Sequence, residues 1–245
     1  MKKRCLMIGA GGMARGWIRR FLPTFADRME IVALVDIDAK ALAEQGDFLG
    51  LSAEARYAEF RAAFRHEIPH SLLVEGGVHH LDMLRNLADS RPVAIAGYEW
   101  NRPWSSFKGE SNANYVMRMA NGVVAHYEGT CSGAGHQNSW HCEYYRAECE
   151  GGQVTVDSDA VVRVTTRDNA TGAVTIEEVP ARQPAHTGHE HVIDAHLTWL
   201  AGGPKPETVL EDNIWSNAAL FGAIEASAKG KVVDVAAMVA RAAAR

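Results

Sequence analysis

A glycine-rich turn close to the start of the chain limits the fold more than any other feature. Residues 4–8 form a short apolar run that is typical of a buried strand, and the run ends directly at the turn. After the turn, Met13, Trp17 and Phe21 recur at four-residue spacing, which predicts an amphipathic helix. A strand, a tight turn and a helix in this order predict the beginning of a βαβ unit.

The alternation of strand and helix patterns continues to about residue 64. Residues 30–35 read as a second buried strand, and Asp38 stands where it can cap a second helix that runs to about Leu49. Residues 56–58 and 59–64 are consistent with a short third strand and a short third helix. This order implies a parallel sheet with right-handed crossovers, which is a Rossmann-type architecture.

The turn itself fits the pattern G-x-G-x-x-A between a predicted strand and a predicted helix, a context that makes the match specific. Its first glycine permits the tight turn, its second lets the backbone approach a pyrophosphate, and Ala14 allows the helix to pack closely on the strand. The free N–H groups of the helix start then face the phosphates. The predicted cofactor-binding residues of the turn are Gly9, Ala10, Gly11, Gly12 and Met13.

An acid at the end of the second strand completes the nucleotide-binding pattern. Asp36 is placed to accept hydrogen bonds from the adenosine ribose hydroxyls, and it would repel a 2′-phosphate. No arginine follows in the next three residues, Ile37-Asp38-Ala39. We therefore expect NAD rather than NADP as the cofactor. A glycine-rich turn that binds no ligand is the alternative interpretation.

The pattern becomes β-rich between about residues 92 and 179. Tyr115, Met117 and Met119 alternate with other residues, as in a strand with one buried face. Asn121-Gly122 is a strong hairpin signal, and alternation resumes on its far side. These features predict a large, mostly antiparallel sheet with one open side.

Helical patterns complete the chain at about residues 190–200 and 211–229, followed by a short Ala-rich helix. We therefore predict an α/β fold with two domains. Residues 1–66 form a Rossmann-type dinucleotide-binding domain that is truncated, and residues 67–245 form an α/β substrate and oligomerisation domain with the large open sheet.

Composition excludes several classes of protein. The formal net charge is −5, and acidic and basic residues are mixed throughout, which disfavours nucleic acid as a partner. The four cysteines form no Cys-x-x-Cys pair, and free thiols in a reducing cytoplasm are expected. No stretch is long and apolar enough to span a membrane. The composition thus predicts a cytoplasmic protein and disfavours nucleic acid and membrane as partners.

Residues 74–82, VEGGVHHLD, combine two histidines with two carboxylates. In a helix that begins near Gly76, Glu75 would precede the first turn, and His79 and Asp82 would lie on adjacent turns. His79 is a candidate acid–base residue, because a histidine side chain can accept or donate a proton near neutral pH. His80 and Asp82 are expected to serve structure, with Asp82 favoured by the helix dipole.

A metal centre is the rival interpretation of this stretch. His79, His80 and Asp82 could be joined by the histidines of HTGHEH, which are ligands of the type that zinc uses. Adjacent histidines on a helix, however, point about 100° apart and rarely bind one ion together. We therefore assign no metal ligands. The histidines of HTGHEH, expected to form a polar loop before a helix, are His186, His189 and His191.

Taken together, these segments resemble the Gfo/Idh/MocA family (glucose–fructose oxidoreductase, inositol dehydrogenase and rhizopine-catabolism proteins). The specific matches are KRCLMIGAGGMA and EGGVHHLDMLRNL. Looser matches are EIVALVDID, EFRAAF, WSSFKG, RMANGVVAHYEG and ETVLEDNIWSNAALFGAIEASAKGKVVDV. The resemblance implies a two-domain, NAD(P)-dependent oxidoreductase that acts on a sugar, polyol or similar small molecule. It also implies a homo-oligomer that assembles through the open sheet.

The resemblance assigns catalytic roles to two residues of the histidine stretch. Glu75 and His79 match the family's site pattern of a carboxylate, three residues and a histidine, although the family more often has Asp where Glu75 stands. By resemblance, His79 is the proton acceptor for a substrate hydroxyl, or shares that role with a lysine. The family's lysine lies in a Glu-Lys-Pro sequence, which this chain lacks; its one Lys-Pro is Lys205-Pro206, in a late loop.

Compared with the family pattern, the chain lacks roughly 90 residues near Arg65. A stretch of this length is close to one mononucleotide-binding half of a dinucleotide-binding fold. A natural deletion, an edited sequence and an omitted stretch would each account for this gap. The side that holds the ADP part is present, and the side that holds nicotinamide is lost. Such a truncation would leave the first strand with an unpaired edge.

Three functions follow from these observations. The first is hydride transfer between NAD and a hydroxyl carbon of a sugar, polyol or related compound. The second is a shortened, non-catalytic relative that binds the ADP moiety alone. The third is a metal-dependent hydrolase built on the histidines.

Overall fold

The computed structural model describes residues 2–57, 68–135, 142–181 and 184–244. Its N-terminal unit has the predicted alternation, and Asp38 caps the second helix by accepting hydrogen bonds from the N–H groups of Lys40 and Ala41. The predicted third helix, over residues 59–64, lies outside the described residues. In chain order the elements are β1 (Lys3–Ile8), α1 (Gly12–Gly16) with its π-helical (Trp17–Phe21) and 3-10 (Leu22–Phe25) continuations, β2 (Met29–Val35), α2 (Ala39–Phe48) and β3 (Arg56–Tyr57).

The sheet of this unit has the order β1-β2-β3, and both pairings are parallel. Among the described strands β1 pairs with β2 alone, so that β1 is an edge strand. Its apolar side chains lie in water, with Leu6 56% and Ile8 80% exposed. In a complete doubly wound sheet the first strand lies in the middle. The exposed edge is therefore where the second half of such a sheet would pair.

The helix that carries the histidine stretch begins earlier than the sequence predicted. The backbone is helical from Ser71, passes through a π-helical turn (Leu73–Gly77) and continues as α3 (Val78–Leu87). The prediction of a start near Gly76 was wrong, because Gly76 and Gly77 are buried in a packed helix. Tertiary packing here outweighs the low helix propensity of glycine.

The remaining strands form two antiparallel sheets of four strands each, with orders β11-β4-β5-β6 and β10-β9-β8-β7. The predicted antiparallel class is confirmed, although the strands are divided between two sheets. The hairpin at Asn121-Gly122 is also confirmed, and Gly122 adopts a φ of 91°. The elements are β4 (Pro92–Trp100), β5 (Asn112–Met119), β6 (Val124–Thr130), β7 (Tyr145–Cys149), β8 (Gly152–Val156), β9 (Val162–Arg167), β10 (Val174–Val179), α4 (Gly188–Leu200), α5 (Leu210–Lys229), β11 (Val233–Asp234) and α6 (Val235–Ala243).

One face of the β11-β4-β5-β6 sheet is buried against α3 and α5. Tyr115, Met117 and Met119 of β5 point into this core, as their alternation predicted, and each is at most 1% exposed. A Cβ at Gly222 of α5 would lie 3.0 Å from Ile95 Cγ2 of β4, so the helix approaches the sheet closely. The residues of α5 that permit this approach are small: Ala218, Ala219, Gly222, Ala223 and Ala226.

Arg85 joins α3 to α5. Its guanidinium donates to Asp212 Oδ1 (2.9 Å) and to Asp82 Oδ1 (2.9 Å), and its Nε donates to Ser216 Oγ (3.2 Å). The hydrogen bonds that Arg85 donates to Asp212 are the main cause of its raised pKa; burial opposes the shift, and the carboxylate of Asp82 adds to it. A charged side chain thus fixes the two helices relative to each other.

The helix α4 packs on the N-terminal unit, although it follows the β-rich region in sequence. Ile193 and Leu197 of α4 join the core of that unit, and Asp194 forms an ion pair with Arg28. The division into residues 1–66 and 67–245 stays a prediction, and α4 is an element of the second segment that contacts the first. No helix in the described ranges has both the length and the apolar character needed to cross a lipid bilayer.

The histidine His80 connects α3 to β6. Its Nδ1 lies 3.2 Å from the Tyr127 hydroxyl, and its Nε2 lies 3.5 Å from Glu143 Oε1. Burial lowers the pKa of His80, and the carboxylate of Glu143 opposes the shift without reversing it. The folded protein therefore keeps this imidazole neutral at pH values where an exposed histidine is protonated.

We expect this neutral histidine to make the protein less stable as pH falls below about 6.5, the pKa of an exposed histidine. Between that value and the lower pKa of the folded state, the unfolded chain binds a proton at His80 that the folded chain does not, which favours unfolding. His80→Gln should flatten this part of the profile of unfolding free energy, measured by urea denaturation between about pH 5 and 7. His191→Gln, at an exposed histidine of α4, is the control. Equally steep profiles for wild type and His80→Gln would contradict the assignment.

Candidate functional site

The turn after β1 has the geometry of a phosphate-binding loop. Gly9 adopts a φ of 100°, which favours glycine, and its N–H donates to the Val35 carbonyl oxygen at 2.7 Å. Gly11 caps the start of α1 with extended backbone and without a side-chain hydrogen bond. A Cβ at Gly11 or Gly12 would meet no atom within 4 Å. The loop backbone is therefore open to a ligand at these two glycines.

Asp36 lies against this loop. Its carboxylate accepts hydrogen bonds from the N–H of Ala10 and, at 2.8 Å, from the N–H of Asp38. Burial alone would raise the pKa of Asp36, but these backbone N–H groups, with those of Gly11 and Ile37, together hold it below its ordinary value. The carboxylate is charged at neutral pH, and it retains lone pairs for ribose hydroxyls because an ionised carboxylate offers about four acceptor positions.

The remaining predicted loop residues differ in exposure. Ala10 is buried in the core of the N-terminal unit, and Met13 is exposed on the first turn of α1. A Cβ at Gly9 would lie 4.0 Å from the Cβ of Ala14, so α1 and β1 meet across two small residues. The structure thus brings together Asp36 and the whole glycine-rich turn.

Glu75 and His79 lie on one helical segment. Glu75 is half-buried within the π-helical turn, and His79 is exposed at the beginning of α3. Burial raises the pKa of the Cys131 thiol, and the negative charge of Glu75 adds to that shift. The pair therefore offers a partly buried carboxylate and a solvent-accessible imidazole. π-helical turns occur frequently at functional sites.

The neighbours of His79 serve the packing of α3. His80 contacts Tyr127 and Glu143, and Asp82 accepts hydrogen bonds from Arg85 and Ser216. The predicted dipole role for Asp82 was wrong, because the helix begins at Ser71 and Asp82 lies in its middle.

The expectation that the HTGHEH histidines form a loop before a helix was wrong for His189 and His191, because α4 already begins at Gly188. His186 and His189 pack on the N-terminal unit. The His189 ring lies 4.7 Å from that of Trp17 and 5.3 Å from that of Phe21, between ring centroids. The His186 ring lies 5.2 Å from that of Phe25. These two histidines are aromatic packing partners of the first helical segment, whereas His80 packs on β6 of the other unit.

The Tyr127 side chain packs closely on Gly129 of β6 and is in ordinary contact with Gly77 of the histidine stretch. A Cβ at Gly77 would lie 3.5 Å from the Tyr127 hydroxyl, and one at Gly129 would lie 2.2 Å from it. Burial raises the pKa of Tyr127. The sequence analysis did not include Tyr127 among the site residues. Its burial could have been predicted from the alternating pattern of β6, in which Tyr127 pairs with the buried Tyr115 of β5.

No family model matches the chain. A curated relative, the uncharacterized protein y4oX of Sinorhizobium fredii, is 33% identical over 181 residues. The match covers 70% of this chain and 49% of the relative, so the chain spans about half the length of the protein it resembles.

Solved structures match the fold over nearly the whole chain. An oxidoreductase from Agrobacterium radiobacter, in complex with NAD+, L-tartaric acid and magnesium, aligns with a TM-score of 0.71 at 16% identity over 97% of this chain and 100% of that one. Levoglucosan dehydrogenase in complex with NADH aligns with a TM-score of 0.71 at 13% identity, covering 96% and 99% of the two chains. Aldose-aldose oxidoreductase from Caulobacter crescentus, complexed with glycerol, aligns with a TM-score of 0.63 at 15% identity, covering 96% and 100%. The chain therefore has the α/β fold of Rossmann-type oxidoreductases, with mostly antiparallel sheets beyond the first unit, as the sequence predicted.

Proposed function

We propose that this chain is an NAD-dependent oxidoreductase that acts on a hydroxyl group of a sugar, polyol or related small molecule. The observation that carries the proposal is the open glycine-rich turn with the charged Asp36 carboxylate against it. Support comes from solved structures of the same fold, which include an oxidoreductase with NAD+ and levoglucosan dehydrogenase with NADH.

The residues of the turn fit the ADP part of the cofactor. Gly11 and Gly12 have no side chain, and the space beside them is open. A pyrophosphate can therefore approach the backbone N–H groups there. Asp36 would accept hydrogen bonds from the ribose hydroxyls and repel a 2′-phosphate, since its pKa is held low. When bound, NAD supplies the nicotinamide ring that accepts a hydride from the hydroxyl-bearing carbon of the substrate.

His79 and Glu75 provide the acid–base part of the proposal. The exposed imidazole of His79 would accept the hydroxyl proton at one of its ring nitrogens while the carbon loses a hydride. Glu75 precedes it by four residues on the same helical segment and would help to orient the substrate hydroxyl or the imidazole. These roles rest on the match to the family pattern and on the exposure of His79.

A second candidate is a shortened protein that binds the ADP moiety without catalysis. The observation that favours it is the exposed edge of β1, where Leu6 and Ile8 lie in water. The side of the fold that would hold nicotinamide begins at that edge. The absence of a Glu-Lys-Pro sequence points in the same direction.

We also propose that the chain forms a homo-oligomer through the open face of the β11-β4-β5-β6 sheet. Antiparallel strands place Tyr98, Asn114 and Glu128 in one row, and Ala96, Val116 and His126 in the next. Several side chains of this face are large, apolar and exposed, which is typical of a surface that contacts another subunit. They are Tyr98, Trp100, Val116 and Val124.

Replacing Asp36 by alanine should weaken NAD binding by about tenfold or more, because hydrogen bonds to a charged group are lost. The same change should reduce the preference for NAD over NADP, since the repelling charge is removed. Isothermal titration with NAD, NADP and ADP-ribose measures both effects. Glu44→Gln, which alters an exposed carboxylate on α2, is the matched control. Unchanged NAD affinity in Asp36→Ala would contradict the proposed cofactor site.

Replacing His79 by glutamine should lower the turnover number by about a hundredfold or more while NAD affinity stays the same, as expected for loss of a general base. The measurement is NADH formation at saturating cofactor with a panel of polyols and sugars. His191→Gln is the control for loss of an exposed histidine. Wild-type protein that binds ADP-ribose as tightly as NAD and turns over no substrate would instead support the second candidate.

Replacing Val116 by aspartate should dissociate the oligomer, because it places a charge in the centre of the open face. Light scattering after size-exclusion chromatography gives the mass. Leu210→Asp adds the same charge at an exposed position at the start of α5 and should leave the mass unchanged. A monomeric wild-type protein would overturn this part of the proposal.

A further inference from the structure

A histidine and two glutamates meet at the start of the helical segment that leads into α3. His70 Nδ1 lies 2.5 Å from Glu99 Oε1 and 3.4 Å from Glu110 Oε2. One ligand atom from each residue can be chosen so that all three lie within 4.8 Å of one another. Among the described residues, no other three histidine, cysteine or carboxylate side chains bring their ligand atoms within this distance of one another.

Glu99 is the unusual member of this cluster. Its side chain is only 3% exposed, and within the described part of the chain its Oε2 is buried and has no hydrogen-bond partner. A buried carboxylate with an unpaired oxygen is costly unless a positive charge lies beside it. Burial raises the pKa of Glu99, His70 opposes the shift, and Glu110 adds to it. The cluster thus concentrates negative charge that a cation would neutralise.

We propose that His70, Glu99 and Glu110 form a binding site for one divalent transition-metal ion, of which zinc is the best match. Two carboxylates and a neutral imidazole carry a charge of about −2, which one such ion balances, and this donor set suits zinc, cobalt and manganese. Calcium and magnesium prefer oxygen ligands alone, so the imidazole disfavours them. Three protein ligands leave a fourth position for water.

The observed spacing requires only small side-chain movements. Ligands bound to zinc at about 2.0–2.2 Å in tetrahedral geometry lie roughly 3.3–3.6 Å apart. The distance from His70 Nδ1 to Glu110 Oε2 is already 3.4 Å, and the shorter one to Glu99 must lengthen by about 1 Å on binding. His70 and Glu110 are 28% and 35% exposed, which gives an ion a path to the buried Glu99.

The site would hold three segments together. His70 precedes the helical segment, Glu99 lies on β4, and Glu110 lies just before β5. A Cβ at Gly109 would lie 2.1 Å from the carbonyl oxygen of Ile68, so the segment before His70 already packs on the residue next to Glu110. His79 is eight residues beyond Ser71, where the helix begins, which is about 12 Å along the helix at roughly 1.5 Å per residue. The ion would therefore fix the start of this helix and take no part in the proposed proton transfer.

The test uses the full chain after dialysis against a chelator. We expect one Zn2+ per chain by elemental analysis after Zn2+ is added and free metal is removed, an increase in Tm, and visible absorption when Co2+ is added instead. Added Mg2+ should do none of these. Glu110→Gln and His70→Gln should each lower Zn2+ affinity by about tenfold or more, since each removes a ligand.

Two features of the design separate loss of the site from loss of the fold. Glu110→Gln keeps an amide oxygen that can still accept the N–H of His70, a bond of 2.8 Å in the structure, and circular dichroism checks each variant. Glu190→Gln is the matched control, because Glu190 lies 3.5 Å from His186 in an i,i+4 pair without a second carboxylate. Fewer than one bound ion per chain, or one ion that both substitutions leave equally tight, overturns the proposal.

Discussion

The close approach of α5 to the β11-β4-β5-β6 sheet determines where most elements of the larger unit lie. Large side chains of β4 and β5, such as Ile95 and Tyr115, fill the space above the small residues of the helix, and Gly222 lies where a methyl group would touch Ile95. Because interiors are closely packed, this fit fixes the distance between helix and sheet. Arg85 then ties α3 to α5, so that Glu75, His79 and the His70 cluster all take their positions from the same contact.

The two parts of the candidate site have different physical origins. The nucleotide part is made of backbone: a left-handed Gly9, an extended Gly11 and N–H groups that Asp36 orients. The acid–base part is made of side chains on a helix that is held by side-chain packing. Backbone sites follow from a short local pattern, whereas side-chain sites depend on how distant elements pack.

This difference explains what the sequence could predict. The parallel start of the fold, the cap at Asp38, the buried alternation of β5 and the Asn121-Gly122 hairpin are local patterns, and the structure confirms them. The start of the helix at Ser71 was missed because Gly76 and Gly77 are held helical by packing that no local rule contains. His70, Glu99 and Glu110 were missed because they are separated by 29 and 11 residues and meet only after strand pairing. Asp212, which pairs with Arg85 from 127 residues away, was missed for the same reason.

The packing of α4 on the N-terminal unit affects the order in which the chain can fold on the ribosome. The small sheet leaves one strand edge open and takes part of its apolar cover from Ile193 and Leu197, which are synthesised long after Leu42 of the same core. At ordinary rates of translation the delay is on the order of ten seconds. During that time the nascent N-terminal segment leaves part of its apolar surface uncovered, and the unit that carries the glycine-rich turn is completed only after α4 has been synthesised.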